Sequence, residues 1–272
     1  MFITVPQPYR VTLLSPMKIV HHLCLLLLGG HLVLAQEAPA DTAKTASAMG
    51  TMTCDIISST ASGIRTSVTH PALRRHWTAF GVGSLLALTV EDELLLNRRR
   101  LMPDQVAQVG DMWGGILAAT TVLPIIFAVD HYENSPGDKI LSDLQFAASS
   151  LLVVGATTSI LKLAVDRERP NRVSRHWSFP SGHTSASFGV AEALRTIYGN
   201  RFGAPFYALA IITGFSRIHD NKHYLSDVVA GAGLGIGIVR GFALDRSAHR
   251  LTVSPDYING NAALRLSFTL GR

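Results

Sequence analysis

Cysteine and charge are both scarce in this sequence of 272 residues. The two cysteines, Cys24 and Cys54, can form neither a disulfide framework nor a cysteine zinc site. Charged residues make up 16% of the chain, below the usual quarter of a soluble globular protein, whereas 47% of the residues are hydrophobic. This composition excludes an intrinsically disordered chain and indicates a protein that buries much of itself or contacts lipid.

Long basic tracts are also absent. The formal net charge is +5, but the longest run of basic residues is Arg98–Arg100, and no aromatic residues are interleaved with it. The sequence therefore disfavours binding of nucleic acid. The small positive excess suits an anionic substrate or lipid headgroups instead.

The first 35 residues predict an exported protein. Lys18 precedes an apolar segment at 23–28, and small residues precede Gln36, which is typical of a signal peptide cleaved before Gln36. Met17 is the more natural start of such a signal. The alternative is an uncleaved anchor helix, for which the apolar core is short. In both cases we expect the rest of the chain on the periplasmic or extracytoplasmic side.

The remainder of the chain predicts an all-α protein with appendages. Residues 36–75 are rich in Ala, Thr and Ser, which predicts a linker or disordered arm. Residues 76–248 alternate uncharged segments with short polar links, a pattern typical of a helical bundle. Residues 249–272 contain apolar and polar residues in alternation after Asn259–Gly260, which predicts a short C-terminal β-hairpin. The uncharged segments are 77–90, 112–129, 144–161, 202–216 and 228–239.

Two of these segments approach the length of a membrane span. Segments 112–129 and 144–161 each have 18 uncharged residues, and a transmembrane helix needs about 20. Their many small residues make them less apolar but favour close packing of helices. We expect a bundle that is embedded in a membrane or seated on it, with a soluble bundle as the alternative.

The first polar cluster follows the helix expected from Leu144. Lys162 and Arg169 are seven residues apart, so on a helix they would share a face and could contact one anion. Pro170 is expected to end that helix. Taken alone, the pair is better explained as a lysine that reaches the surface and an arginine that complements a helix C-terminus.

The second cluster is Pro180–Ser181–Gly182–His183, directly before the helical pattern of residues 185–198. It predicts a helix N-terminus whose free N–H groups can bind a phosphate, with Gly182 allowing close approach of the backbone. His183 would stand at the mouth of that anion site. A simple capping loop with a solvated histidine is the alternative.

The third cluster is Ser216–Arg217, then His223 and Asp227. His223 and Asp227 are four residues apart, so on a helix the carboxylate could bond one imidazole nitrogen and leave the other as a free lone pair. This arrangement is typical of a nucleophile held by an orienting acid. An ordinary helix-stabilising pair is the alternative.

In this order and spacing, the clusters resemble the three-part signature of the phosphatidic acid phosphatase type 2 and vanadium haloperoxidase superfamily. The similarity covers roughly residues 77–245. Only residues 171–179 separate Pro170 from Pro180, which is short for the family and leaves little room for a large lid. The residues that carry the resemblance are Lys162, Arg169, Pro170, Pro180, Ser181, Gly182, His183, Ser216, Arg217, His223 and Asp227.

The resemblance implies a phosphatase that needs no metal or other cofactor and is inhibited by vanadate. The implied catalytic residues are His223 as the nucleophile that becomes phosphohistidine, His183 as the acid for the leaving oxygen, and Asp227 as the group that fixes the tautomer of His223. The implied phosphate-binding residues are Lys162, Arg169, Ser181, Gly182 and Arg217.

Apolar helices around such a site favour a lipid phosphate monoester or diphosphate as substrate, in a protein associated with a membrane. Phosphatidic acid, phosphatidylglycerol phosphate and polyprenyl diphosphates all fit. A soluble periplasmic acid phosphatase of low specificity is the first alternative. A vanadate-dependent haloperoxidase and a membrane protein that binds phosphate without turnover are less favoured alternatives.

Overall fold

Helices make up the described chain as far as residue 248. The computed structural model describes residues 57–96, 101–171, 176–258 and 261–270. The predicted signal peptide at 1–35 lies outside these residues, as does most of the predicted arm at 36–75. The helices are α1 (57–69), α2 (Pro71–Leu96), α3 (Asp104–Met112), α4 (Ala118–Tyr132), α5 (Gly137–Val165), α6 (Gly182–Tyr198), α7 (Asn200–His219) and α8 (Leu225–Ala248), with a π-helical turn at Trp113–Leu117 between α3 and α4.

Helix α6 lies between two apolar clusters that join most of the other helices. Val190 and Leu194 pack with buried residues of α4 and α5. On another face of α6, Ala193 packs with α5 and with Val239 and Phe242 of α8. The all-α class expected from the sequence is therefore confirmed for the body of the protein.

Helix α8 approaches the backbone of α6 unusually closely. A Cβ added to Gly231 would lie 2.7 Å from the carbonyl oxygen of Ser181, and one added to Gly235 would lie 2.3 Å from that of Ser185. Real Cβ atoms do not come so near, so this contact requires glycine at both positions. The close contact fixes the start of α8 beside the start of α6.

The prediction of a linker over residues 36–75 is wrong for residues 57–69 and 71–75, which are helical. Ser67 is buried, and its Oγ donates to the carbonyl oxygens of Gly63 (2.7 Å) and Ile238 (3.1 Å). Gly63 lies against the ring of Phe242, which an added Cβ would meet at 2.7 Å. Small residues and hydrogen bonds make this contact, so the segment has no apolar periodicity to reveal it.

The helix expected over residues 112–129 is broken. Asp104–Gly115 and Ala118–Tyr132 meet at an angle of 72°. Gly115, with φ −78° and ψ −126°, leaves the helical region at the bend. Gly114 fits tightly against α6 and α7, because an added Cβ would lie 2.3 Å from Thr213 and 2.9 Å from Cβ of His183.

Two helices in the described ranges are long and apolar enough to cross a membrane, Gly137–Val165 and Leu225–Arg246. The count rises to three if the bent pair from Asp104 to Tyr132 is taken as one span. The sequence predicted a candidate span within α5. The span in α8 was missed because Asp227 and Arg240 interrupt its uncharged residues.

Beyond the helices, the backbone of His249–Ile258 (β1) pairs antiparallel with that of Asn261–Leu270 (β2), with Val253 opposite Leu266. Side chains are described only as far as Arg246, so nothing shows what either strand packs against. The terminal hairpin therefore stays a prediction as a part of the fold.

Candidate active site

Four helix ends bring the three polar clusters together. The amide of Ser181, before α6, donates to the carbonyl oxygen of Asp227 in the first turn of α8 (3.0 Å). The amide of His223 donates to the carbonyl oxygen of Arg217 in the last turn of α7 (3.2 Å). Lys162, in the last turn of α5, completes the group. All eight residues that the sequence nominated thus lie at one end of the bundle.

The first cluster differs from its expected geometry. Helix α5 ends at Val165, and Asp166 has a left-handed backbone with φ 45°. Arg169 therefore lies in the following loop, so the expectation that it shares a helical face with Lys162 is wrong, as is the expectation that Pro170 ends the helix. Lys162 Nζ donates to the carbonyl oxygen of Trp177 (2.6 Å).

Arg169 still belongs to the site electrostatically. Burial lowers the pKa of Arg169, and the neighbouring charge of Arg217 lowers it further. Its Nε donates to the carbonyl oxygen of His176 at 3.4 Å, a weak contact. Arg169 and Lys162 thus contact the backbone of adjacent residues, His176 and Trp177, in the loop that follows α5.

The second cluster forms the helix N-terminus that the sequence predicted. Ser181 precedes α6 with an extended backbone, and Gly182 begins the helix. A Cβ on Gly182 would lie 3.6 Å from Cε of Lys162, so the lysine stem passes directly over this terminus. The free N–H groups and the ammonium group together suit an anion.

Arg217 is the most deeply buried cation of the site, with 2% of its surface exposed. Its Nη1 makes a close ion pair with Asp111 of α3. Its Nε is buried and has no hydrogen-bond partner among the described residues. An unpaired buried guanidinium N–H is costly, and an incoming oxyanion would satisfy it.

His183 is kept neutral in the free protein. Burial lowers the pKa of His183 to about 4, and the charge of Arg217 also lowers it, against an opposing effect of Asp111. Its Nε2 lies 3.5 Å from Oδ1 of Asp111. Its side chain is 38% exposed, so it can still contact a ligand.

His223 and Asp227 meet through a third residue. His223 precedes α8, which begins at Leu225. Its Nδ1 is 3.6 Å from Oδ2 of Asp227, too far for a hydrogen bond. Ser178 Oγ donates to the same Oδ2 (2.5 Å) and lies 3.5 Å from Nδ1. The direct bond expected from the four-residue spacing is thus replaced by a contact in which Ser178 takes part.

The environment of His223 favours a neutral imidazole. Burial lowers the pKa of His223, and the charges of Lys162 and Arg169 lower it further, although Asp227 opposes them. Since Nδ1 of His223 faces Asp227 and Ser178, Nε2 is the nitrogen that can react with a substrate. A neutral, buried imidazole with one free nitrogen can act as a nucleophile.

Sequence reasoning missed Arg167, which binds the carboxylate oxygen of Asp227 that does not face His223. Arg167 Nη1 donates to Oδ1 of Asp227 (2.8 Å) and to Oγ of Ser226 (2.7 Å), and Nη2 pairs closely with Glu91. The guanidinium also lies over the ring of Tyr224, 3.9 Å from its centroid. One feature of the sequence could have pointed to this group: Glu91 is an acidic residue directly after the uncharged segment 77–90 of α2.

Sequence reasoning also missed Asp111 and Lys222 at the mouth of the site. Asp111 contacts Arg217, and its Oδ2 accepts a hydrogen bond from Lys222 Nζ at 3.1 Å. Lys222 pairs with Asp220 as well (3.0 Å). The carboxylate of Asp111 therefore pairs with Arg217, a cation that the sequence assigned to phosphate. The segment around Asp111 carries no pattern that would indicate this contact.

Comparison with known proteins supports the resemblance drawn from the clusters. Residues 144–250 match the model of the PAP2 superfamily. The lipid A 1-phosphatase of Porphyromonas gingivalis is 30% identical over 172 residues, which are 60% of this chain and 36% of that protein. The undecaprenyl-diphosphatase BcrC of Bacillus subtilis is 34% identical over 82 residues, covering 30% of this chain and 40% of that protein. The chain thus spans about a third of the length of the first of these relatives.

Among solved structures, the crystal structure of Aquifex aeolicus LpxE is similar with a TM-score of 0.45 and 19% identity. The similarity covers 57% of this chain and 94% of that one.

Proposed function

We propose that this protein, whose residues 144–250 match the model of the PAP2 superfamily, hydrolyses phosphate esters of lipids at the site described above. The observation that carries the proposal is Arg217, which is buried at the meeting point of four helix ends with an unpaired Nε. A buried cationic donor without a partner suits an oxyanion ligand. Two further cations and a helix N-terminus surround the same position.

In the proposed reaction, His223 Nε2 attacks phosphorus while the ester oxygen departs on the opposite side. Lys162, Arg169 and Arg217 bind the non-bridging oxygens, with Ser181 and the amide of Gly182. A phosphorus–nitrogen bond forms, the phosphorus–oxygen ester bond breaks, and His183 gives its proton to the leaving alkoxide. Asp227, held by Arg167 and Ser178, fixes the tautomer and position of His223.

The second half of the reaction returns the protein to its starting state. Neutral His183 accepts a proton from water as that water attacks phosphorus, the phosphorus–nitrogen bond breaks, and inorganic phosphate leaves. His183 is then protonated, which is the form that begins the next cycle; because the pKa of His183 is lowered to about 4, this form is the minor one in the free protein at neutral pH. We propose that no divalent metal takes part, because three protein cations supply the positive charge.

A lipid is the substrate class that the surroundings favour. The names of the relatives, lipid A 1-phosphatase and undecaprenyl-diphosphatase, support a lipid carrier of the phosphate. Helices α5 and α8 are each apolar enough to span a bilayer, and Lys162 in the last turn of α5 and Asp227 in the first turn of α8 lie at their ends. Charged groups at the bilayer centre would be costly, so an interfacial position is favoured. Together with the predicted export signal, this supports our proposal that the site opens at the extracytoplasmic surface.

The experiment that tests the proposal is turnover by the purified protein of phosphatidic acid and of p-nitrophenyl phosphate, with and without EDTA. We expect turnover to survive EDTA and to be inhibited by orthovanadate, which has the geometry of the transition state. His223→Ala should reduce turnover by about 10⁴-fold or more and remove the acid-labile phosphohistidine detected on the wild type. His131→Ala, which changes an exposed histidine of α4, is the control. Strict dependence on Mg²⁺, or full turnover by His223→Ala, would contradict the mechanism.

A further inference from the structure

An apolar groove of about 660 Å³ runs between α2 and α8 and past the end of α5. We propose that this groove binds a hydrocarbon chain of the lipid whose phosphate occupies the site of Arg217. The proposal rests on the proposed function and adds where the substrate's apolar part is held. The residues that argue for it are Trp77, Gly81, Leu88, Val165, Pro180 and Ser226, all of which line the groove.

The groove begins at the level of the active site. Its lining includes Pro180 and Ser226, which directly precede Ser181 and Asp227 of the site. Arg167, which holds Asp227, also lines it. Arg167 thus belongs both to the wall of the groove and to the hydrogen bonds that hold Asp227, and for this reason we infer that a lipid with its phosphate at Arg217 extends into the groove.

From that level the groove follows the helix axes away from the site. On α8 its lining runs from Ser226 to Leu234, eight residues, or about 12 Å of helix. On α2 it runs from Leu88 to Trp77, about 16 Å. This direction leads along a helix that is long and apolar enough to span a bilayer, as an acyl chain in a membrane would run.

The lining of the groove is mostly apolar, which favours binding of a hydrocarbon chain over a polar ligand. Away from Arg167 and Ser226, which already bond Asp227 and Glu91, the side chains are apolar apart from the small hydroxyl of Ser84. That hydroxyl donates to the carbonyl oxygen of Ser226 (3.0 Å). A sugar or peptide in the groove would leave its polar groups without partners, which is costly. Leu88, 45% exposed, leaves the side of the groove open to lateral entry of a chain.

Gly81 offers a way to fill the groove without disturbing the helices. A Cβ at Gly81 would meet no atom within 4 Å, although Gly81 lines the groove. Gly155 on α5 is equally open but does not line it. Gly81→Leu and Gly155→Leu are therefore a matched pair, and leucine is favourable in both helices.

The first measurement compares a long-chain and a short-chain substrate. We expect Gly81→Leu to raise KM for dioleoyl phosphatidic acid about tenfold, through lost apolar burial. KM for dibutyryl phosphatidic acid and for p-nitrophenyl phosphate should stay within about twofold of the wild type. Gly155→Leu should leave all three unchanged. An equal effect of Gly81→Leu on long and short chains, or no effect on either, would overturn the proposal.

The second measurement does not need turnover. Trp77 lines the groove, so phosphatidic acid with brominated chains should quench its fluorescence, and Trp77→Phe should remove that component. Quenching should exceed that by brominated phosphatidylcholine at the same mole fraction and should decrease when orthovanadate occupies the phosphate site. Equal quenching by both lipids would mean that the groove holds bulk lipid only, against the proposal. Preferential quenching by phosphatidic acid without turnover would support the groove and contradict the proposed function.

Discussion

At the level of single residues, Asp111 is an obstacle to phosphate binding, because it places a negative charge at the cations of the site. Its carboxylate lies on Arg217 and Lys222, so an entering phosphate must displace it or lie beside a like charge. We expect Asp111→Asn to lower the inhibition constant of inorganic phosphate about fivefold. Asp104→Asn, which removes a charge from the same helix but from a contact with His219, should change it little. Weaker inhibition in Asp111→Asn would show instead that Asp111 mainly orients Arg217.

The low pKa of His183, another single-residue property, should determine how kcat/KM depends on pH. With its pKa lowered to about 4, the protonated acid becomes scarce as the pH rises, so kcat/KM for an alkyl phosphate should fall from acidic towards neutral pH. The charge of Asp111 raises this pKa, so Asp111→Asn should move the fall to lower pH. An aryl phosphate, whose leaving oxygen needs less protonation, should show a smaller fall. Identical profiles for the two esters would argue against His183 as the acid.

At the scale of elements, Arg167 ties together segments that are far apart in the chain. It joins Glu91 of α2 to Asp227 of α8, and both carboxylates are buried. Arg167→Met would leave them unpaired, so the free energy of unfolding should fall by about 3 kcal/mol. Arg74→Met, at an exposed position of α2, should have little effect. Thermal and urea unfolding of the two variants measure the difference, and equal stability would show that water replaces the guanidinium.

The elements also show what the sequence could and could not predict. Lys162, Ser181, Arg217 and Asp227 lie in first or last helical turns or at a helix cap, so their convergence followed from apolar segments that end at polar clusters. Asp111 contacts Arg217 from a helix that ends at the bend near Gly115, and no periodicity marks such a bend. Contacts that depend on tertiary packing across a hundred residues leave no local pattern.

At the scale of the whole molecule, export and orientation are the open predictions. If the signal is cleaved before Gln36, the mature chain should begin there, and the site should open to the extracytoplasmic side. N-terminal sequencing of the processed protein tests the first point. Hydrolysis of an impermeant phosphate ester by intact spheroplasts tests the second. An unprocessed chain, or activity that requires lysis, would contradict these predictions.

The close contact of Gly231 and Gly235 with the backbone of α6 has a consequence for motion. Because no side chain separates the two helices there, α6 and α8 should behave as one rigid body, and Ser181 and His223 should keep their separation throughout turnover. Adjustment to the substrate must then come from the opposite wall, where α3 carries Asp111 beyond a bend. Structures with and without bound phosphate should superpose on α6 and α8 and differ at α3.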